Sequence, residues 1–276
     1  MSQAPTRSDM RAGLPMYLLP EVADATERWW QGLAAALGDA GVAEVPARLS
    51  DAGEAQALMH APDLLLAQTC GYPLTHALAG LVEPLATPVY AAPGCDGHEY
   101  ASLVVVPADH WATRLDDLRG GVCAVNALDS HSGYNVLRFE IAPLARGRAF
   151  FSHVAVSGSH VESIAMVARR EAHVCAVDCV THALLARYRP GALAGTRVLM
   201  RTRRAPGLPY VTRAGLEEQE RARMRRALAA AFGDAALAPV REALLIAGVA
   251  WLDVADYRPI LDMEHAAEHA GYATLA

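Results

Sequence analysis

The sequence predicts an α/β protein of two lobes, the second inserted into the first, with a ligand cleft between them. Short apolar runs alternate with amphipathic stretches along most of the chain, the pattern of parallel strands flanked by helices. At 276 residues the chain is long enough to bury one large core or two medium ones. Two segments, Ser102–Pro107 and Thr202–Tyr210, bracket a regular central series of strands and helices. Lobe one is therefore expected to take residues 1–105 plus 206–276, and lobe two residues 106–205.

The elements follow in order. Gly13–Leu19 reads as a strand bounded by Pro20, and Glu21–Leu37 as an amphipathic helix with acidic residues in its first turn. Ala43–Pro46 reads as a short strand, Glu54–His60 as a short helix and Asp63–Ala67 as an apolar strand. The turn TCGYP leads into a helix over Leu74–Leu81, and Leu85–Ala91 is a strand ending in the Gly- and Pro-dense loop PGCDGHE. Tyr100–Pro107 is a β-branched run. The central series then places strands at Val122–Val125, Ser152–Val156, Val174–Val177 and Thr196–Met200. Helices at Ser132–Leu144, Ser159–Ala168 and Thr181–Tyr188 fall between them. After PGLP comes a short strand, Tyr210–Thr212, and three helices to the end.

Composition narrows the function. With 24 basic against 30 acidic residues, no cationic excess exists to neutralise nucleic-acid phosphates. Every basic residue is arginine, which removes P-loop and Schiff-base lysine chemistry. The most apolar stretches, such as Ala243–Leu252, fall well short of the roughly 20 residues a bilayer span needs, so no membrane insertion is expected. The N-terminus MSQAPTRSDMRAG carries no apolar export segment, which points to the cytoplasm. Five cysteines are too few for a disulfide framework in a chain of this length.

Chemistry concentrates at predicted strand ends. Asn126–Asn135, NALDSHSGYN, leaves a strand and opens a helix, where free N–H groups and the helix dipole favour an anion. Ser130 and Ser132 add hydroxyls, and Gly133 lets an oxyanion approach the backbone; the plainer reading is that Asp129 and Ser130 merely cap the helix. In SGSHVE, Ser159 and Glu162 form a capping-box pattern, while His160 in the first turn is placed to donate to an anion. Asp178 ends an apolar strand, either as an N-cap or as an acceptor for a ligand amine or hydroxyl. Tyr17, and Thr69 and Tyr72 in QTCGY, sit at strand ends, where a tyrosine serves packing or grips a small polar molecule. His265 and His269 match H-x-x-E-H, but zinc needs a third ligand and only seven residues follow, so a solvated helix face is expected and no metal.

In their order, MYLLPEV, QTCGYPL, PGCDGHEYASLVVVP, NALDSHSGYNVLR, SGSHVESIAMVARREAHVCAVDCVT and PGLPYVT resemble the phosphate/phosphite/phosphonate-binding (PhnD-like) proteins of ABC importers. The resemblance runs from about Leu14 to the C-terminal helices and implies the type II periplasmic-binding fold. It implies a phosphoryl group at Ser130, Ser132 and Gly133, with His160 from the next turn and Asp178 pairing a ligand amine. It also implies lobe-one tyrosines Tyr17, Tyr72 and Tyr100 closing over the ligand. His131, between the two serines, is a departure that would alter the preferred anion.

The expected function is capture of a small anion (phosphonate, phosphite or phosphate-like) without catalysis or cofactor, an ABC permease being the implied partner and the periplasm the implied compartment. A cytoplasmic ligand sensor is the alternative. An enzyme using His160 or His131 as base beside Ser132 or Cys179 is a third reading.

Overall fold

The computed structural model describes residues 10–276. From the N-terminal side the chain forms β1 (Arg11–Gly13), α1 (Ala23–Asp39), α2 (Ala55–Met59), β2 (Leu64–Gln68), α3 (Gly71–Thr75) and β3 (Val82–Tyr90). Next come β4 (Glu99–Tyr100), β5 (Ser102–Pro107), β6 (Val122–Val125), α4 (Val136–Ala145), β7 (His153–Val156), α5 (His160–Ala168) and β8 (Val174–Asp178). Then follow α6 (Cys179–Tyr188), β9 (Thr196–Arg201), β10 (Ala205–Pro206), β11 (Tyr210–Arg213), α7 (Glu218–Gly233), α8 (Ala238–Ala243), β12 (Ile246–Ala250) and α9 (Arg258–His269).

These elements gather into two compact units. The first takes the chain up to Thr69, Leu78–Pro88 and Leu208–Asp253; the second takes Cys70–Ala77, Val89–Gly207 and Val254–Ala276. The division differs from the expected boundary. Residues 89–105 and 254–276, read as lobe one, belong to the second unit, and so does the short segment Cys70–Ala77. The physical reason lies in α9. Its buried stripe, Ile260, Met263 and Ala267, and its buried-facing Glu264 find their partners on α3 and α4. Ala267, Tyr272 and Leu275 accordingly complete the second unit's core.

The first unit's sheet has the order β1-β2-β11-β3-β12. β1 and β2 run parallel, but β11 runs antiparallel to both β2 and β3, so the expected all-parallel sheet is a mixed one. Helix α1 buries Trp29, Trp30, Leu33 and Leu37 completely or nearly so. Trp29 Nε1 donates to the Tyr210 hydroxyl at 2.8 Å and the indole meets Phe232 edge-on, joining α1, β11 and α7.

Several expected elements of this unit are shorter or different. The strand expected over Gly13–Leu19 ends at Gly13, because Pro15 and a left-handed Tyr17 (φ 62°) turn the chain. The strand expected at Ala43–Pro46 is a turn, with Glu44 at φ 57°. β12 lies where the sequence predicts a helical tail; Leu245 at φ 59° breaks the chain from α8 and starts this strand.

The second unit's sheet has the order β7-β6-β8-β5-β9. β6 is parallel to β7 and β8, as the alternation of strands and helices demands, while β5 is antiparallel to β8 and β9. β4 and β10 form a separate antiparallel pair. The core gathers Val104, Val106, Val125, Leu137, Ile141, Phe150 and Val174. The helix expected over Leu74–Leu81 is the shorter α3, which starts earlier. Gly71 opens it because a Cβ there would lie 2.3 Å from Ile260 Cδ1. Among the described residues no helix is long and apolar enough to cross a membrane.

Candidate functional site

In the second unit β6 ends at Val125, and its carboxyl end releases the chain into Asn126–Asp129 before helix α4. Ligand crevices form at such strand ends. The connection is one wide π-type turn over His131–Asn135, in which Asn135 N–H donates to the Ser130 carbonyl at 3.0 Å. Ser130 caps it, its hydroxyl accepting the Gly133 N–H at 3.0 Å. His131, Ser132, Gly133, Tyr134 and Asn135 are all buried, whereas Asp129 is exposed. The carboxylate that would repel an anion therefore stands in water, beside the turn rather than under it.

Gly133 is required by space. A Cβ there would lie 1.7 Å from Asn126 Oδ1 and 3.2 Å from His160 Cε1. His160 reaches the turn from the first residue of α5, after Ser159, whose hydroxyl accepts the Glu162 N–H as the capping pattern predicts. The His160 Nε2 and Ser132 Oγ are 2.9 Å apart, and Ser132 Oγ lies 3.5 Å from Ser130 Oγ. Tyr100, at the end of β4, is buried and meets the His131 ring edge-on. Its hydroxyl faces Ser132 without a hydrogen bond of ordinary geometry, and Asn126 Oδ1 is likewise buried with no partner. The Tyr100 hydroxyl, Asn126 Oδ1 and His160 Nδ1 are thus three buried polar atoms around this turn without a hydrogen bond of ordinary geometry.

The electrostatics are those of neutral dipoles. Burial pushes the His131 imidazole down to about 3 and that of His160 down to about 4, so both are uncharged near neutrality. Burial also holds the Tyr100 phenol well above its usual value, keeping its O–H as a donor. His131 Nδ1 faces the Asn135 amide nitrogen at 3.3 Å, and that amide donates to the Ile260 carbonyl at 3.0 Å. This network assigns His131 the tautomer with its proton on Nε2. His131 N–H donates to Cys70 Sγ at 3.5 Å.

The structure brings Tyr100, Ser130, His131, Ser132, Gly133 and His160 together. Asp178 lies at the end of β8 and caps α6, its Oδ1 accepting N–H groups from Val180 (2.7 Å) and Thr181 (3.2 Å). Its charge is felt at Tyr100. Tyr72 lies outside the lobe expected for it. It belongs to the second unit, stacks on His76, and its hydroxyl donates to Glu264 Oε1 at 2.6 Å. Glu264 also pairs with Arg138 at 2.9 Å and His76 at 2.6 Å. Tyr100 likewise stands in the second unit, not in lobe one. Tyr17 and Thr69 belong to the first unit. Tyr17 sits in the left-handed turn after β1, and the buried Thr69 donates its N–H to the Pro209 carbonyl.

Sequence reasoning missed Asn126 and the support behind the turn. Asn126 was legible as the first polar residue after an apolar strand. Arg138, buried in α4, gave no signal, because its partner Glu264 is distant in sequence. His265 and His269 are exposed on α9, and among the described residues no group of three or more His, Cys, Asp or Glu is placed to hold a metal ion.

A family model described as ABC transporter, phosphonate, periplasmic substrate-binding protein matches residues 16–257. The comparison with curated proteins found no match. Among solved structures, a binding protein component of an ABC phosphonate transporter from Pseudomonas aeruginosa superposes with TM-score 0.73 at 19% identity, covering 95% of this chain and 87% of that one. PhnD1 from Prochlorococcus marinus, in complex with methylphosphonate, gives TM-score 0.71 at 13% identity, covering 93% of this chain and 97% of that one. A Xanthomonas citri protein bound to chloride ion gives 0.69 at 18%, covering 95% and 98%. At these identities the likeness shows the fold, that of type II periplasmic-binding proteins.

Proposed function

We propose a function from one premise: this chain belongs to the phosphonate family of ABC-transporter periplasmic substrate-binding proteins. It is a substrate-binding protein, and the guest we assign to it is a small tetrahedral oxyanion of the phosphonate, phosphite or phosphate class. The observation that carries this assignment is the buried turn Ser130–Gly133, where His160 Nε2 lies 2.9 Å from Ser132 Oγ and the buried Tyr100 hydroxyl faces Ser132 without a hydrogen bond of ordinary geometry. Methylphosphonate in the Prochlorococcus marinus protein supports the same class.

Recognition rests on neutral donors. A first helical turn supplies N–H groups without helical partners, and hydroxyls add donors that need no counter-charge. Hydrogen bonds to a charged oxyanion are shorter and stronger than neutral ones. Ser132 and Tyr100 are the hydroxyl donors. Neutral His160 either donates from Nε2 to Ser132 Oγ, which leaves the Ser132 proton for the guest, or accepts that proton, according to tautomer; anion capture uses the first. Asn126 and Asp178 are acceptors at the edge of this set, suited to a protonated oxygen or an amine on the guest.

The protein works without turnover in this reading. Ser132 and His160 are in contact, but an imidazole held near 4 is a weak general base at neutral pH. The partner is an ABC permease, and the address that goes with it is the periplasm rather than the cytoplasm. Fractionation of host cells decides between the two.

Calorimetric titration with phosphate, phosphite, methylphosphonate, 2-aminoethylphosphonate and ATP tests the ligand class. Binding of at least one phosphoryl compound is expected, weakened about tenfold or more in Ser132→Ala, since one hydrogen bond to a charged group contributes about 1.5–3 kcal/mol. No heat from any of them at millimolar concentration overturns the assignment. Release of a cleaved product from a bound compound overturns the non-catalytic reading.

A further inference from the structure

The second unit contains a pair of thiols that the anion site does not use. Cys95 lies in the loop between β3 and β4 and is half-buried; Cys179 is the first residue of α6 and is buried. Their sulfur atoms are 3.5 Å apart. Gly94 makes the approach feasible. It stands at φ 127°, and a Cβ there would lie 2.8 Å from Cys179 Cβ, so only a glycine lets the loop lie on the start of α6. Both flanks are tied down. Cys95 N–H donates to the Ala92 carbonyl at 2.9 Å, and Cys179 N–H to the Ala101 carbonyl at 3.2 Å.

We infer that Cys95 and Cys179 are a site of reversible disulfide formation, oxidised by small-molecule or protein disulfides. In the first step the Cys95 thiolate attacks one sulfur of the oxidant's disulfide and expels the other as a thiolate, which takes up a proton. Cys179 then loses its proton as its sulfur attacks Cys95 Sγ and expels the second thiol. Two protein thiols and one disulfide become one protein disulfide and two small thiols. The order of attack follows exposure, since Cys95 is the accessible member. The contact with Cys179 also lowers the Cys95 thiol, whereas Cys179 is raised. Cys123 and Cys175 are fully buried and their thiols are pushed up by burial, so neither competes as first nucleophile. The bridge would span 84 positions of chain and fasten the loop that leads to Tyr100 onto the helix that follows Asp178.

The test uses the full chain with glutathione disulfide as oxidant, followed by alkylation and non-reducing peptide mapping. Two of the five thiols should disappear, in a single linked peptide pair joining Cys95 to Cys179, and dithiothreitol should restore them. The oxidised protein should melt several degrees higher, as a bridge over a long loop predicts. Cys95→Ser should keep all four remaining thiols, whereas Cys179→Ser, with no resolving thiol, should stop at a glutathione adduct on Cys95. If either variant does not fold, the wild-type peptide map alone decides. In the wild-type protein, five thiols surviving oxidation, a bridge through Cys70, Cys123 or Cys175, or a lasting glutathione adduct on Cys95 would each overturn the inference.

Discussion

A methyl group at position 133 would meet Asn126 Oδ1 at 1.7 Å, far inside contact distance. Gly133→Ala is therefore expected to destabilise the protein by about 1–3 kcal/mol, the usual range for overpacking, and to weaken phosphonate binding. Asn126→Ala removes the obstacle, so the double variant should melt above the Gly133→Ala single variant; chemical denaturation of the four proteins checks this non-additivity. His131 and His160 give a second residue-scale prediction. Their folded values, about 3 and about 4, lie below the ordinary 6.5, so below pH 6.5 the unfolded chain takes up protons that the native state refuses. Stability of the ligand-free protein should fall as pH drops from about 6.5 toward 4, with a slope approaching two protons. His131→Gln should reduce that slope by about one proton in denaturation curves across pH. An unchanged slope would mean that His131 titrates normally in the fold. At this scale the serines, Gly133 and His160 were legible, because capping chemistry and helix starts are local. The hydrogen bond from Tyr72 to Glu264 was not legible, because the two lie 192 residues apart.

The elements behind the turn explain how it keeps its shape. The π-type turn is continuous with α4, and α4 is fastened to α9 by the pair Arg138–Glu264. Arg138 is 4% exposed and Glu264 12%, and the same arginine also donates to Asn135 Oδ1 at 2.8 Å. Removing one partner of a buried pair leaves the other charge uncompensated, so Glu264→Ala should cost about 3–5 kcal/mol of stability. The chain Glu264–Arg138–Asn135–His131 then predicts weaker ligand binding as well, although Glu264 lies outside the anion turn. Calorimetry and denaturation on the same preparation check both; lost stability with intact affinity would separate the ion pair from the site. Element positions were legible wherever apolar period and turn residues agreed, as for β6, α5 and β8. They failed where a left-handed residue interrupts an apolar run, at Tyr17, Glu44 and Leu245, because no side chain announces that conformation.

For the whole molecule, order along the chain was legible and pairing direction was not. Alternating strands and helices suggested parallel sheets, yet β5 and β11 run against their neighbours. Both adjoin segments where the chain changes unit or sheet, a non-local property. The same limit moved α9 from the first unit to the second, since an amphipathic stripe shows that a helix is covered but not by what. The family assignment does not depend on these differences, and the proposed capture of a small anion rests on one turn and the few groups around it. A crystal structure of the protein with methylphosphonate tests that dependence most directly. The account predicts phosphoryl oxygens within hydrogen-bond distance of Ser132 Oγ and the Tyr100 hydroxyl, with the Gly133 backbone alongside. Methylphosphonate seated elsewhere, with the turn empty or filled only by water, would contradict it.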